Sequence, residues 1–246
     1  MQPPGVVFSS TWLAKNGYSN GLLQRYRKSH WLESIGNGAM IRHGEAATVW
    51  GALCALQSQL NMPVHAGGRT ALDLLGRSHS LPVGPAPIIL FGANRVALPE
   101  WFTKYRWTTP FHFHSYSFLP HELGLVPFGI RDFEVMIASP ARAMMECLLL
   151  ARDETSLLEC ASIMEGLNNL DPVLVQALLE QCTSIKVKRL FLFLASRAGH
   201  AWFNRIEVSR IQIGKGKRSL VPGGAYVPEY QLVVPRQWVE DEYPAV

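Results

Sequence analysis

Gln24, Arg25, Arg27 and Lys28 fall within five consecutive residues, and no acidic residue interrupts them. Side chains of these types can bind nucleic acid. Arg and Gln match base edges in the major groove, and Lys supplies a point charge suited to phosphate, as do backbone N–H groups at a helix cap. Such chemistry needs a rigid element that can enter a groove, and the flanking residues 8–42 predict one. Ser9 or Ser10 caps a first helix, Trp12 and Leu13 give it an apolar face, and Gly17 ends it. Ser19 or Asn20 caps a second helix, about 20–30, whose apolar positions Leu22, Leu23, Tyr26 and Trp31 recur at helical spacing. Two strands, 32–35 and 39–42, then pair about Gly36-Asn37-Gly38, a composition suited to positive φ. Helix, turn, basic helix, hairpin is the order of a winged helix-turn-helix, whose second helix presents its N-terminal residues to bases. A helical hairpin with a solvated basic face fits the same pattern.

Charge distribution favours the nucleic-acid reading. Across 246 residues the formal net charge is +4, with 48% hydrophobic and 17% charged residues, an ordinary globular composition. Residues 1–80 hold seven basic residues against three acidic, whereas 81–246 hold sixteen of each. The whole positive excess therefore accompanies the basic helix, where phosphate neutralisation would use it. MQPPGVV lacks the basic and apolar regions of a signal peptide, and no stretch approaches the ~20 apolar residues of a membrane span. A cytoplasmic protein is expected. Cys54, Cys147, Cys160 and Cys182 are far apart and read as buried free thiols of a reducing compartment.

The remaining chain supplies support for this element and then a larger region. An Ala- and Leu-rich helix at 47–60 covers the helix-turn-helix core. A short extended piece, 63–65, and a Gly67-Gly68 turn precede a helix at 69–75, whose Arg69 is read as pairing with a neighbour. Residues 78–87, with three prolines, form a linker between domains 1–80 and 81–246. Strands are predicted at 88–91, 103–107, 111–118, 124–128 and 133–137. Helices follow at 140–151, opened by Ser139-Pro140, and at 155–164, 171–182 and 186–197. Short strands close the chain at 211–213, 219–221 and 231–234. The fold class is α+β: an N-terminal winged helix-turn-helix, then a larger mixed α/β domain with a helical bundle portion.

Other chemistry is weaker. His112 and His114 share one strand face and lie near His121 and Glu122 in sequence, but the same alternation arises in any half-buried strand, and no metal is assigned. Ser115, Ser139 and His200 lack a nucleophile-elbow context. Gly214-Lys215-Gly216-Lys217-Arg218 lacks the spacing of a phosphate-binding P-loop and precedes a strand. It reads as a basic hairpin contacting DNA or RNA through Lys215, Lys217 and Arg218, or as a solvated turn. Glu240-Asp241-Glu242 reads as a solvated tail. No active site assembles and no cofactor is called for, so a non-enzyme is expected.

The runs GYSNGLLQRYRKSHWLESIGNGAMIR, VWGALCALQSQLNMPVHAGGRTALDLLG and LPVGPAPIILFG, with the closing KGKRSLVPGGAYVPEYQLVVP, resemble the AbiEi-type antitoxins of type IV toxin–antitoxin, or abortive-infection, systems. The resemblance implies a bacterial two-domain protein whose N-terminal winged helix binds inverted repeats in its own operon promoter and represses it. Its C-terminal domain would oppose a nucleotidyltransferase-like toxin without a stable complex. The recognition helix corresponds to 19–29 and the wing to 36–42, which adds Ser19, Asn20, Ser29, Asn37 and Arg42 to Gln24, Arg25, Arg27 and Lys28 as candidate DNA contacts. Such winged helices have a helix ahead of the pair, where this chain has MQPPGVV; either the helix at 47–60 completes the core or the chain begins late. A monomer or weak dimer is expected. The alternative function is a scaffold that binds the toxin or another partner directly.

Overall fold

The structure, a computed structural model, describes residues 2–77 and 86–240. Most of the proline-rich linker and the residues after Glu240 lie outside the described residues. In chain order the elements are β1 (Phe8–Ser9), α1 (Ser10–Lys15), α2 (Asn20–Lys28), β2 (Leu32–Gly36), β3 (Ala39–Arg42), α3 (Val49–Ser58), β4 (Val64–Ala66) and α4 (Gly68–Leu74). Then come β5 (Ile88–Gly92), α5 (Glu100–Lys104), β6 (Phe111–Ser115), β7 (Leu125–Ile130), β8 (Phe133–Ala138), α6 (Pro140–Leu150) and α7 (Glu154–Gly166). The chain continues through α8 (Pro172–Gln181), α9 (Ile185–Ala198), two 3₁₀ turns, β9 (Arg218–Ser219), β10 (Ala225–Val227), β11 (Leu232–Val234) and α10 (Gln237–Glu240). The class is α+β. Two compact units alternate along the sequence: Met1–Ala66, Pro82–Tyr116 and Leu125–Ile137 form the first, and Gly67–Leu81, Ser117–Gly124 and Ala138–Val246 the second.

The first unit holds two sheets. One has three strands in the order β1-β3-β2, with β3 antiparallel to both neighbours. Phe8, Leu13, Leu23 and Met40 form a buried cluster beneath α1 and α2, with Trp12 and Leu32 packed against it. The other sheet has five strands in the order β6-β5-β4-β8-β7, mixed in direction. Helix α3 serves both. Gly51 lets it approach the segment before β1 so closely that a Cβ would meet the Gly5 carbonyl oxygen. At its end, buried Gln59 accepts from Ser9 N at 2.8 Å and donates to Val7 O at 2.7 Å. Gln57 pairs with the backbones of Val64 and Met136, each bond 3.0 Å or less. The Ala-rich helix and the Gln59 that follows it thus tie β1 and the segment before it to β4 and β8, the two glutamines satisfying backbone groups of both.

In the second unit α6 packs against α4, α7, α8 and α9. Side-chain oxygens cap the helices: Ser139 for α6 and Asp171 for α8, each just ahead of a proline, Asp153 in a capping box with Ser156 for α7, and Ser184 for α9. Buried Arg142 on α6 pairs with buried Glu146 at 2.9 Å and donates to the carbonyls of Pro120, His121 and Leu123. Glu146 in turn accepts from Gly68 N at 2.8 Å. Arg69 pairs with Asp73 and Glu159, the partnership its sequence reading favours. Burial pushes the Cys160 thiol up to about 12 and also raises Cys54, Cys147 and Cys182. All four cysteines are free.

Three predicted elements differ. Of the residues predicted as a strand at 103–107, 103–104 end α5 and 105–107 are irregular: Pro99 starts a helical turn, Glu100 and Lys104 pair at 2.9 Å, and Trp101 and Phe102 are buried. Residues 211–213 form no strand, because the carbonyls of Gln212 and Ile213 accept from Lys188 and Arg189 rather than from a neighbouring strand. Helix α2 ends at Lys28 rather than His30, which lies in the left-handed region at φ 56°.

Candidate nucleic-acid interface

Helix α2 is built to present one face. Ser19 caps it, its hydroxyl accepting from Leu22 N at 3.3 Å. Leu23 is its buried residue and holds it to the small core, with Leu22 and Tyr26 half-buried beside it. Ser19, Asn20, Gln24, Arg25, Arg27 and Lys28 are all exposed. Among the described residues no carboxylate pairs with Arg25, Arg27 or Lys28, so these charges face water uncompensated. Ser29 is exposed, but its hydroxyl donates to Arg25 O at 2.9 Å and so finishes the helix. Burying four apolar residues of α1, α2 and the sheet is enough to fix the orientation of α2, and nothing on its outer face is used for folding.

The hairpin beside it is anchored at both ends. At its base, half-buried Arg42 donates to Pro3 O and Gln2 O, pairs with Glu45 at 3.3 Å, and lies 5.3 Å from the Phe8 ring centroid. At its tip, Gly36 and Gly38 have φ of 138° and 101°, and both lie against Trp101 of α5. Side chains at either glycine would be strained. Asn37 between them is exposed. A cleft of about 320 Å³ separates the tip from α5, lined in part by Asn37, Lys104, Tyr105 and Arg106. The predicted strand over 103–107 hid this neighbourhood. Only the pairing of Glu100 with Lys104 four residues on could have signalled a helix there.

Trp31 departs from the apolar face assigned to it. It is 72% exposed, stacked on Tyr26 with ring centroids 6.2 Å apart, and Tyr26 in turn lies 6.4 Å from Tyr18. The helix has ended before residue 31, so helical periodicity no longer places that side chain inward. Its backbone carbonyl accepts from His43 N at 3.1 Å, tying the end of α2 to the strand that follows the wing.

Lys215, Lys217 and Arg218 belong to the second unit and are exposed. Lys217 lies 5.1 Å from the Tyr226 ring centroid. Together with Arg152 and Lys186 they line a cleft of about 620 Å³. Burial lowers the pKa of Lys186; the Cys160 thiol opposes the shift and Arg152 adds to it. His112 and His114 sit on β6 in the first unit, while His121 and Glu122 belong to the second. His114 packs between Phe91 and Tyr116, at 5.5 and 6.0 Å between ring centroids. Among the described residues no group of three or more His, Cys, Asp or Glu is placed to hold a metal ion. No helix among them is long and apolar enough to cross a membrane.

Residues 1–83 match the family model described as transcriptional regulator, AbiEi antitoxin N-terminal domain. Residues 86–235 match that described as transcriptional regulator, AbiEi antitoxin, type IV TA system. Among solved structures the fold is similar to that of the RV2827C protein from Mycobacterium tuberculosis, with a TM-score of 0.60 at 14% identity, covering 98% of this chain and 90% of that one. No curated protein sequence matches.

Proposed function

The chain belongs to the AbiEi family of type IV antitoxin transcriptional regulators, and we propose that it is a DNA-binding autorepressor that reads its operator with α2. The order β1, α1, α2, β2, β3, with β3 between β1 and β2, supports a winged helix-turn-helix. One observation carries the reading: the face of α2 bearing Gln24, Arg25, Arg27 and Lys28 is exposed and, among the described residues, has no acidic partner. Arg25 and Gln24 would read base edges, Arg27 and Lys28 would contact phosphates or bases, and Ser19 and Asn20 would offer the helix N-terminus to phosphate. Asn37, with Lys104 and Arg106 beside it, would carry the wing's backbone contacts. Arg42 supports the wing from its base.

The proposed operator is an inverted repeat in the protein's own promoter, bound by monomers or a weak dimer in the cytoplasm. The C-terminal region, 81–246, opposes a nucleotidyltransferase-like toxin without catalysis and without a stable complex. A salt-titrated binding assay tests the DNA half, comparing DNA upstream of the gene with a scrambled duplex. Specific binding that weakens steeply with salt is the expected result. Equal affinity for both duplexes would remove the repressor reading. A second reading, a scaffold binding the toxin or another protein directly, is favoured by exposed Trp31, since aromatic residues of this kind anchor protein interfaces. Co-purification with the toxin at high salt, abolished by Trp31→Ala, would establish it.

A further inference from the structure

The cationic cleft of the second unit is not explained by a DNA-reading helix in the first. Arg152, Lys186, Lys215, Lys217 and Arg218 converge on it from three separate segments: the start of α7's approach, the first turn of α9, and the loop leading into β9. Four arginines elsewhere in this unit pair with carboxylates: Arg69 with Asp73 and Glu159, Arg142 with Glu146, Arg197 with Glu165, and Arg210 with Glu180 and Glu207. Among the described residues none of the five cleft cations has such a partner, and no carboxylate lines the cleft.

The loop is also held so that its negative groups are occupied. Arg189 donates to the carbonyls of Ile213 and Gly216, each at 2.7 Å, and Lys188 to that of Gln212 at 3.0 Å. Lys186, half-buried, has its ammonium directed to the carbonyls of Leu149 and Ala151, which fixes one cation at the cleft wall. Like charges gathered in a concavity repel one another, and an anion seated between them relieves that repulsion.

We propose that this cleft is a binding site for a small oligophosphate, either free polyphosphate or the phosphate chain of a nucleoside triphosphate. Its volume, about 620 Å³, is that of a small-ligand site. Five cations drawn together suit consecutive phosphates of one short chain, whereas a duplex backbone calls for cations spread along a strip. No aromatic side chain lines the cleft to stack on a base, so recognition resides in the phosphates and the base is read weakly. This site goes beyond the DNA-reading proposal and does not depend on it.

The test is isothermal titration calorimetry of the full chain in low-salt, magnesium-free buffer with tripolyphosphate, ATP, GTP and adenosine. Tripolyphosphate, ATP and GTP are expected to bind saturably at one site, ATP and GTP alike, and adenosine not at all. The exposed-residue variants Arg152→Ala and Lys215→Glu/Lys217→Glu, their folds checked by circular dichroism, are expected to weaken binding about tenfold or more, because charge-assisted phosphate contacts are lost. Arg25→Ala/Arg27→Ala should leave it unchanged. ATP tighter than tripolyphosphate would assign the nucleotide, and the reverse order free polyphosphate. Absence of saturable binding, or binding lost in the α2 variant and kept in the cleft variants, would overturn the proposal. So would cleft variants that weaken only duplex DNA.

Discussion

In α2 the guanidinium groups of Arg25 and Arg27 reach solvent, and no carboxylate among the described residues meets them. In α9 the guanidinium of Arg189 is fully buried and donates to the carbonyls of Ile213, Gly216 and Gln231 and to the Gln231 side chain. Lys188, one residue earlier, is also buried and serves Gln212 O. Both helices carry clustered basic residues, and both lie in units with apolar cores. The difference is what the rest of the chain offers. Around α9 an irregular segment, 212–217, leaves carbonyls without strand partners, and long cationic side chains with apolar stems satisfy them. Around α2 the backbone is satisfied by its own helix and by the paired strands of the hairpin, so its cations are left over. Exposure and missing partners, rather than basic residue type, therefore separate the cations of α2 from Lys188 and Arg189 of α9.

Arg189→Ala should have the largest effect. The carbonyls of Ile213 and Gly216 lose the donor that Arg189 gives them, while Gln231 O keeps Arg218 N, so at about 1–3 kcal/mol for each partly buried acceptor unfolding free energy should fall by about 2 kcal/mol or more. Chemical denaturation measures it, and a loss under 1 kcal/mol would break the contrast by making Arg189 as dispensable as a surface residue. Next come Arg25→Ala and Arg27→Ala. Each should weaken binding to promoter DNA by about 1–3 kcal/mol if it reads a base, while unfolding free energy stays within about 0.5 kcal/mol of the parent. Stability loss without affinity loss would place α2 in the same category as α9.

Salt titration sharpens the comparison further. If Lys28 contacts a phosphate, Lys28→Ala should reduce the slope of log affinity against log salt by about one and act alike on specific and scrambled DNA. Ser19→Ala should cost about 0.5–1 kcal/mol, because one N-cap acceptor is removed from an exposed helix end. The smallest effect is expected from Trp31→Ala. Exposed and outside the small core, Trp31 should change unfolding free energy by no more than about 0.5 kcal/mol, and a larger loss would show that its stacking on Tyr26 supports α2.

Much of the fold was legible because it is encoded locally. Ser139-Pro140 and Asp171-Pro172 announce helix starts through cap chemistry, and α6 to α9 form close to their predicted ranges. The basic face of α2 was equally readable, since it needs only the helical period and a count of acids. Trp31 was misplaced because periodicity says nothing about where a helix ends, and the turn at His30 decides that. Residues 103–107 were misread because β-branched and aromatic composition outweighed a helix of only five residues.

From its sequence alone this protein has its class, its family resemblance, its uneven charge and its one unopposed basic helix face, because each depends on residue types and spacing over a few turns. Tertiary structure decided which cations are spent. The burial of Lys188 and Arg189 under the 212–217 segment, the bonds of Gln57 and Gln59 to the backbones of Met136, Val7 and Ser9, and the gathering of Arg152, Lys186 and Lys217 at one cleft all join residues far apart in the chain. A carbonyl's need for a donor is met wherever the fold places one, and no local pattern records that choice.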